Sequence, residues 1–419
     1  MTIAHDSSSL ADLAQTPGAL RRAPELSGST AAFRSALGLL ARNWTVGKLT
    51  FVLPNDKELT IVGAEPGPSG RLVVRDYAFM NRVLSAGDIG FAEGFMAQEW
   101  DTPDMAALLC AFSLNFDKIE RLALGAPLMW VLNRILHVFR DNSRAGAKKN
   151  IHAHYDLGNA FYSRWLDATM TYSAARYAHA GQDLAAAQQN KYRLLTQQMA
   201  LEPQHHVLEI GCGWGGFAEY AAKTIGARVT AITISKEQYD FAAKRIFEQG
   251  LAERAEIRLV DYRDVDGTYD RVASIEMFEA VGEKYWPSYF GKIAEVLKPG
   301  GRAGLQIITI QDEFFESYRR RADFIQRYIF PGGMLISEAR LRQVTEAAGL
   351  DWRDISRFGQ DYADTLAEWT RRFESAWPDI RQNGFDERFR RLWRFYLAYC
   401  EAGFRTERTD VVQLSLSKS

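Results

Sequence analysis

The segment Val207-Leu-Glu-Ile-Gly211-Cys-Gly213-Trp-Gly215-Gly216 constrains the fold of this chain more than any other. A strand-like run enters a turn made mostly of glycine, and Phe217 to Thr224 then continues at helical spacing. Glycines let a ligand press against bare backbone, and a strand, turn and helix of this kind opens a doubly wound sheet that binds ligands beyond the carboxyl ends of its strands. The downstream pattern agrees. Strand-like runs at His206 to Ile210, Arg228 to Ile234, Glu256 to Val260, Arg271 to Ile275 and Gly304 to Ile310 alternate with helical runs such as Lys236 to Glu248 and Tyr285 to Leu297. Lys298-Pro-Gly-Gly301 reads as the stop of the last helix. This alternation predicts an α/β domain with a mostly parallel sheet covered on both faces.

A dinucleotide would require a carboxylate at the end of the second strand, and Thr233-Ile-Ser235 supplies none. A nucleotide-phosphate loop would require Lys-Ser/Thr in the turn, which is also missing. With Glu209 before the glycines and the Leu-Lys-Pro-Gly-Gly run after, the domain resembles the class I S-adenosylmethionine (SAM) methyltransferases, whose sheet is seven-stranded.

The chain has 419 residues, more than one core usually serves, so a second domain is expected. Residues 1–30 read as a flexible tail without the apolar core of a secretory signal. Residues 31–140 read as a smaller α-rich domain with a strand-like stretch at Lys48 to Leu53 and Leu59 to Val62. A Gly/Pro-rich turn follows from Gly63 to Gly70, with helices from about Tyr77. Apolar faces at Met105, Leu108, Leu109 and Phe112, then at Leu128, Val131, Leu132, Ile135 and Phe139, either pack a core or, with Arg134, Arg140, Arg144, Lys148 and Lys149, meet lipid head groups. Residues 141–150 have linker chemistry, and 151–419 form the catalytic domain.

Fifty-one basic and 52 acidic side chains leave a net charge of -1, which gives no bulk attraction to nucleic acid. Cys110, Cys212 and Cys400 form no CxxC pair, so neither a disulfide framework nor a metal cage is expected, and a cytoplasmic setting fits. The stretch Leu122 to Phe139 is too interrupted for the roughly 20 apolar residues of a bilayer span. Any membrane contact is therefore peripheral, from the inner face.

Further segments carry a closer resemblance. His154-Tyr-Asp-Leu-Gly-Asn159, Met170-Thr-Tyr-Ser173, Asp261-Tyr-Arg-Asp264, Phe278-Glu279, Tyr328-Ile-Phe-Pro-Gly332, Phe358-Gly-Gln-Asp-Tyr362 and Trp377-Pro378 stand in the order found in the cyclopropane-fatty-acyl-phospholipid synthases, which from Ile151 onward this chain resembles. The resemblance implies SAM as cofactor, touching Tyr172, Ser173, the turn Gly211, Gly213 and Gly215 with Glu209 before it, Thr233, Ile234 and Gln238 around the ribose, and Tyr262 and Arg263 near the adenine. It implies an unsaturated phospholipid as substrate. It also implies a bound bicarbonate as base, cradled by Glu279, Gln306 and Tyr362 with the backbone of Ala174 and Ile308. Glu279 would accept the bicarbonate hydroxyl proton, and Tyr362 and Gln306 would donate. Glu276 either shares a helical face with Glu279 or is solvated, and the second reading is preferred.

Many bacterial members carry cysteine at Ala174, histidine at Gln306 and histidine at Ala280. Gln306 keeps a donor but cannot titrate, which weakens the grip expected on bicarbonate. The run Leu305-Gln-Ile-Ile-Thr-Ile310 with Tyr328-Ile-Phe-Pro-Gly-Gly333 resembles the branch that includes plant cyclopropane synthases, where glutamine stands at the same place. Cys400 matches a position assigned as a nucleophile in the family. Attack of an alkene on a sulfonium needs no thiol, so it reads as a buried small residue.

The implied reaction needs a dry pocket, because methylating one alkene carbon leaves positive charge on the other. Aromatic faces stabilise such charge, and Phe161, Tyr162, Trp165, Tyr172 and Tyr177 are candidates. Cyclopropanation is the leading expectation. Proton loss from a neighbouring carbon would instead give a methyl- or methylene-branched chain. A protein without catalytic activity that binds lipid or senses SAM, and a methyltransferase for a small soluble molecule, are the readings of other kinds. Oligomeric state stays open, a homodimer included.

Overall fold

A computed structural model describes residues 26–119 and 157–418. The chain divides into two compact units, one comprising residues 1–136, 321–327 and 381–406, the other residues 137–320, 328–380 and 407–419. The expected apolar face from Leu128 to Phe139, its basic neighbours, the linker at 141–150 and the motif from His154 to Asp156 lie outside the described residues.

In the first unit the helix Ala31–Asn43 precedes strands β1 (Val46–Val52), β2 (Glu58–Val62), β3 (Glu65–Val74) and β4 (Trp100–Asp101), in the order β2-β1-β3-β4. Helices Phe79–Met96 and Met105–Leu114 complete its N-terminal part. Among the described residues the unit is richer in helix than in strand, as expected, and its strands form one four-stranded sheet. Most of the expected turn at Gly63 to Gly70 is strand. Pro66 and Pro68 are tolerated there because β4 pairs only with Val73 and Val74, so that edge of β3 needs no donors from the prolines.

Asn115, fully buried, closes this unit. Its Oδ1 accepts from the backbone N–H of Thr45 (2.7 Å) and Val46 (3.1 Å), and its Nδ2 donates to the carbonyls of Val46 (2.9 Å) and Ala111 (2.8 Å). The late helix Glu387–Arg405 also belongs here, which the expected 151–419 boundary does not follow. The reason is chemical. Buried Arg391 donates to the carbonyls of Phe95 (2.5 Å) and Trp100 (3.0 Å) and lies 3.8 Å from the Phe95 ring centroid. Cys400, half-buried on this helix, is therefore not the fully buried residue expected.

The second unit is the doubly wound domain. Strands β5 (His206–Ile210), β6 (Arg228–Thr233), β7 (Ala255–Leu259), β8 (Tyr269–Ile275), β9 (Leu297–Ile310), β11 (Leu350–Arg357) and β12 (Thr409–Lys418) run in the order β11-β12-β9-β8-β5-β6-β7. The two-residue β10 (Ile336–Ser337) pairs with β9. The first five strands are parallel, and β12 enters antiparallel beside β9. Helices Leu184–Gln198, Gly216–Tyr220 and Lys236–Glu248 cover one face, and Trp286–Val296 and Glu338–Ala347 the other, each contributing to a separate apolar core. Lys298-Pro-Gly-Gly301 does follow the end of a helix, but its residues are already part of β9.

Candidate active site

The glycine turn leaves β5 with Gly211, Gly213 and Gly215 all at positive φ (83°, 52° and 81°). A side chain at Gly211 would meet Met277 at 2.5 Å, and one at Gly215 would meet Ala242 at 3.0 Å, whereas Gly213 faces open space. The turn thus offers bare backbone, as a ligand approaching this closely requires. Arg245 ties it down by donating to the carbonyls of Thr169 (2.7 Å) and Trp214 (3.4 Å). Glu209 is buried behind the turn, its Oε2 has no hydrogen-bond partner, and burial pushes its carboxyl up to about 8.

The remaining residues assigned to SAM surround the ends of β6 and β7. Thr233 donates to the Gln238 amide oxygen (2.9 Å), Ile234 is half-buried, and the Arg263 guanidinium lies over Tyr262 while donating to Asp261 (2.9 Å). Ser173 accepts from Lys191 Nζ (2.7 Å), a buried lysine that sequence reasoning missed. Burial lowers that ammonium to about 7, against the pull of the Glu276, Asp167 and Glu209 charges. A lysine among the polar residues Gln188, Gln189, Asn190 and Arg193 of a helical run reads as solvated and gives no sequence signal of its burial.

An aromatic wall runs from the turn into the domain. Trp214 lies 5.1 Å from Tyr162, Tyr162 5.3 Å from Tyr172, Tyr172 5.3 Å from Trp369, and Trp369 6.1 Å from Tyr362. Of the expected aromatic candidates, Phe161, Tyr162 and Trp165 are fully buried core, while Tyr172 and Tyr177 are half-buried. Trp214 is held by Asn159, the last residue of the His154 motif (2.7 Å).

At the far end of this wall stand Glu276 and Glu279, just past the carboxyl end of β8. Glu276 is not the solvated carboxylate expected. Its Oε1 accepts from the Ala174 N–H (2.8 Å) and from Gln306 Nε2 (2.7 Å), and its Oε2 accepts from the Tyr362 hydroxyl (2.7 Å). Its φ is +50°, a left-handed conformation unusual for a residue with a side chain. Helical spacing could not reveal this, because the residue lies at a kink between strand and turn.

Glu279 Oε1 accepts from the Ile308 N–H (2.6 Å), a ladder donor left where β8 departs from β9. Its Oε2 is buried with no hydrogen-bond partner. Burial first, and the Glu276 charge second, push its carboxyl up to about 8. The neighbouring motifs hold the pair in place. The Glu279 carbonyl accepts from Met334 N–H (2.9 Å), Ala175 N–H donates to Thr365 (3.1 Å), and Tyr177 N–H donates to Asp361 (3.2 Å).

The structure therefore brings Ala174, Gln306, Ile308, Tyr362 and Glu279 together, with Glu276 at their centre. Cys400 belongs to the other unit. The glycine turn fits SAM, since a cofactor needs bare backbone and finds it. The bicarbonate cradle fits less well. Both donors assigned to that anion, the Gln306 amide and the Tyr362 hydroxyl, and the N–H groups of its two backbone positions, Ala174 and Ile308, already serve the two glutamates.

Residues 142–414 match the family described as mycolic acid cyclopropane synthetase. The chain belongs to this family. It is 39% identical over 365 residues to the tuberculostearic acid methyltransferase UfaA1 of Mycobacterium tuberculosis, covering 84% of each chain. It is 35% identical over 359 residues to the cyclopropane-fatty-acyl-phospholipid synthase of Escherichia coli, covering 82% of this chain and 87% of that one. Among solved structures, the mycolic acid cyclopropane synthase CmaA1 complexed with SAH and CTAB matches with a TM-score of 0.62 and 28% identity, over 65% of this chain and 98% of that one. The fold is that of a class I methyltransferase, and the protein is a SAM-dependent methyltransferase of the cyclopropane synthase family. No helix among the described residues is long and apolar enough to cross a membrane.

Proposed function

We propose that the protein methylates one carbon of a double bond in an unsaturated acyl chain of a membrane phospholipid, and that a proton then leaves the transferred methyl to close a cyclopropane. Bound SAM supplies the electrophilic methyl. The chain's own residues do the rest. The turn from Gly211 to Gly215, with Tyr172, Ser173, Thr233, Ile234, Gln238, Tyr262 and Arg263, orients the cofactor, and near-attack placement within roughly 3 to 3.5 Å of the alkene is the main source of rate.

The packed rings of Tyr162, Tyr172, Trp369 and Tyr362 exclude water, and a ring face that the half-buried Tyr172 turns to the cationic chain is worth ~0.5 to 2 kcal/mol. The observation that carries the proposal is the placement of two partly desolvated carboxylates at the end of that wall, beside a bare glycine turn. A cation formed in a dry pocket needs a nearby acceptor for one proton, and little else. Bicarbonate, the base that the resemblance implies, finds its donors engaged, so no step is routed through it.

The UfaA1 relative supports a second outcome, since its name describes a methyltransferase and not a cyclopropane synthase, and its identity exceeds that of the Escherichia coli synthase. Both outcomes begin with the same cation and differ in which carbon releases the proton. Purified protein, labelled SAM and dioleoyl phospholipid vesicles separate them. High-field ring protons in the recovered lipid are expected, whereas vinylic or branch-methyl signals refute ring closure. A lipid fraction without label refutes the proposal altogether.

The protein is taken to reach its lipid as a peripheral visitor. The first unit exposes Val62, Leu84 and Leu114, and co-sedimentation with vesicles is expected to weaken in the triple glutamate variant of these positions. Unchanged sedimentation removes this unit from lipid contact.

A further inference from the structure

Resting on the reading that an acyl-chain cation forms here, we infer that its proton acceptor is the side chain of Glu276, a carboxylate of the protein standing where the family's bicarbonate would be held. The donor set makes the case. Ala174 N–H, Gln306 Nε2 and Tyr362 OH converge on one carboxylate at 2.8, 2.7 and 2.7 Å, which is how a cradle holds a small three-oxygen anion. The remaining donor, Ile308 N–H, is taken by Glu279. A free anion would have to evict both side chains and leave partly desolvated carboxylates without donors, a costly exchange.

The orientation of Gln306 is fixed from behind. Arg176, which can only donate, gives Nη1–H to Gln413 Oε1 (3.0 Å), Gln413 Nε2 donates to Gln306 Oε1 (3.1 Å), and Gln306 must then turn its own Nε2 to Glu276. A chain that starts at an obligate donor and ends at a carboxylate has one polarity. It suits a site whose anion is permanent and does not need the proton-carrying side chain that histidine would offer.

Backbone geometry points the same way. Left-handed φ at a non-glycine residue is strained and persists where its surroundings over-determine it. At Glu276 the next side chain, Met277, packs on Gly211 of the cofactor turn, so the strained residue adjoins the place where the methyl donor would lie. In the step itself, a C–H bond of the transferred methyl breaks and its electron pair forms the C–C bond to the cationic carbon. The proton passes to a Glu276 oxygen, with no oxidant or reductant required. Removal of a chain proton instead would use the same acceptor.

The test compares wild type with Glu276→Gly and Glu276→Gln, in buffer scrubbed of carbon dioxide and in buffer with added bicarbonate. Glycine suits the left-handed φ and empties the cradle, while glutamine fills it without accepting a proton. SAH release on oleoyl vesicles is expected to be insensitive to bicarbonate in wild type and to fall roughly 10² to 10⁴-fold in both variants without it. Added bicarbonate should restore only Glu276→Gly. A second readout is independent of turnover. Carbon-13-labelled bicarbonate, titrated by NMR, should bind saturably to Glu276→Gly and not to wild type. Wild-type turnover that collapses on scrubbing and returns with bicarbonate overturns the inference, and so does saturable binding of bicarbonate to wild type. If every arm lacks turnover, the proposed reaction is refuted while the binding titration still decides the occupancy of the cradle.

Discussion

Replacing Glu279 by glutamine should change how stability depends on pH, and the structure sets both sign and size. The Glu279 carboxyl is pushed up to about 8, first by burial and then by the charge of Glu276. Because the folded value is raised, folding favours the protonated form. The associated stability is whole below the unfolded value near ~4.5 and is lost as pH rises to about 8, where the loss levels off. A rise of ~3.5 units at ~1.36 kcal/mol each gives a ceiling of ~5 kcal/mol, and relaxation around the group brings the working figure to ~2 to 4 kcal/mol. Glutamine carries no titrating proton and should escape this loss. Urea titrations of both proteins at pH 5, 7 and 9, followed by tryptophan fluorescence, read the difference. Lys191 beside Glu276 titrates in the same range in both proteins, so the comparison removes its contribution. The variant's advantage over wild type should widen by ~2 to 4 kcal/mol between the acidic and alkaline ends. A gap that stays constant within ~0.5 kcal/mol would show that Glu279 is an ordinary solvated carboxylate and that the charge-sharing picture of the pair is wrong.

Other consequences follow from specific contacts. Gln413→Leu breaks the chain that orients Gln306 and should cut turnover about tenfold at unchanged affinity for SAH, with ~1 to 3 kcal/mol of stability lost; equal turnover would remove the relay from the mechanism. Gly211→Ala places a methyl against Met277 at a φ of 83° and should weaken SAH binding by about tenfold or more in calorimetry, whereas unaltered binding would show that the turn does not meet the cofactor. Asn115→Ala removes five hydrogen bonds of a buried side chain from the first unit and should lower its unfolding free energy by ~2 to 4 kcal/mol. A loss under ~0.5 kcal/mol would mean that water replaces the amide.

The parallel part of the sheet was legible because its strands and helices follow two different hydrophobic periods, and His206–Ile210 and Lys236–Glu248 were placed to the residue. The antiparallel pair β11 and β12 was not anticipated, since Leu350–Arg357 mixes charge throughout and lies half exposed at the sheet edge. β3 was hidden by its prolines. The family resemblance gathered Ala174, Gln306, Ile308, Tyr362 and Glu279, but not Glu276 at their centre. That residue's role depends on a backbone kink and on three donors from distant segments, and neither leaves a local pattern. Lys191 was missed for a similar reason, because only the fold buries it.

The placement of the last residues bears on how the polypeptide reaches its folded state during synthesis. Arg391 completes the hydrogen bonding of Phe95 and Trp100, almost three hundred positions earlier, and β12 occupies an interior lane of the large sheet between β9 and β11. The first unit cannot close before Arg391 has been translated, nor the second before β12. The nascent chain must therefore keep two unfinished cores from sticking to other molecules until residues 391–418 emerge, and stop codons ahead of that stretch should yield aggregates, not shortened enzymes.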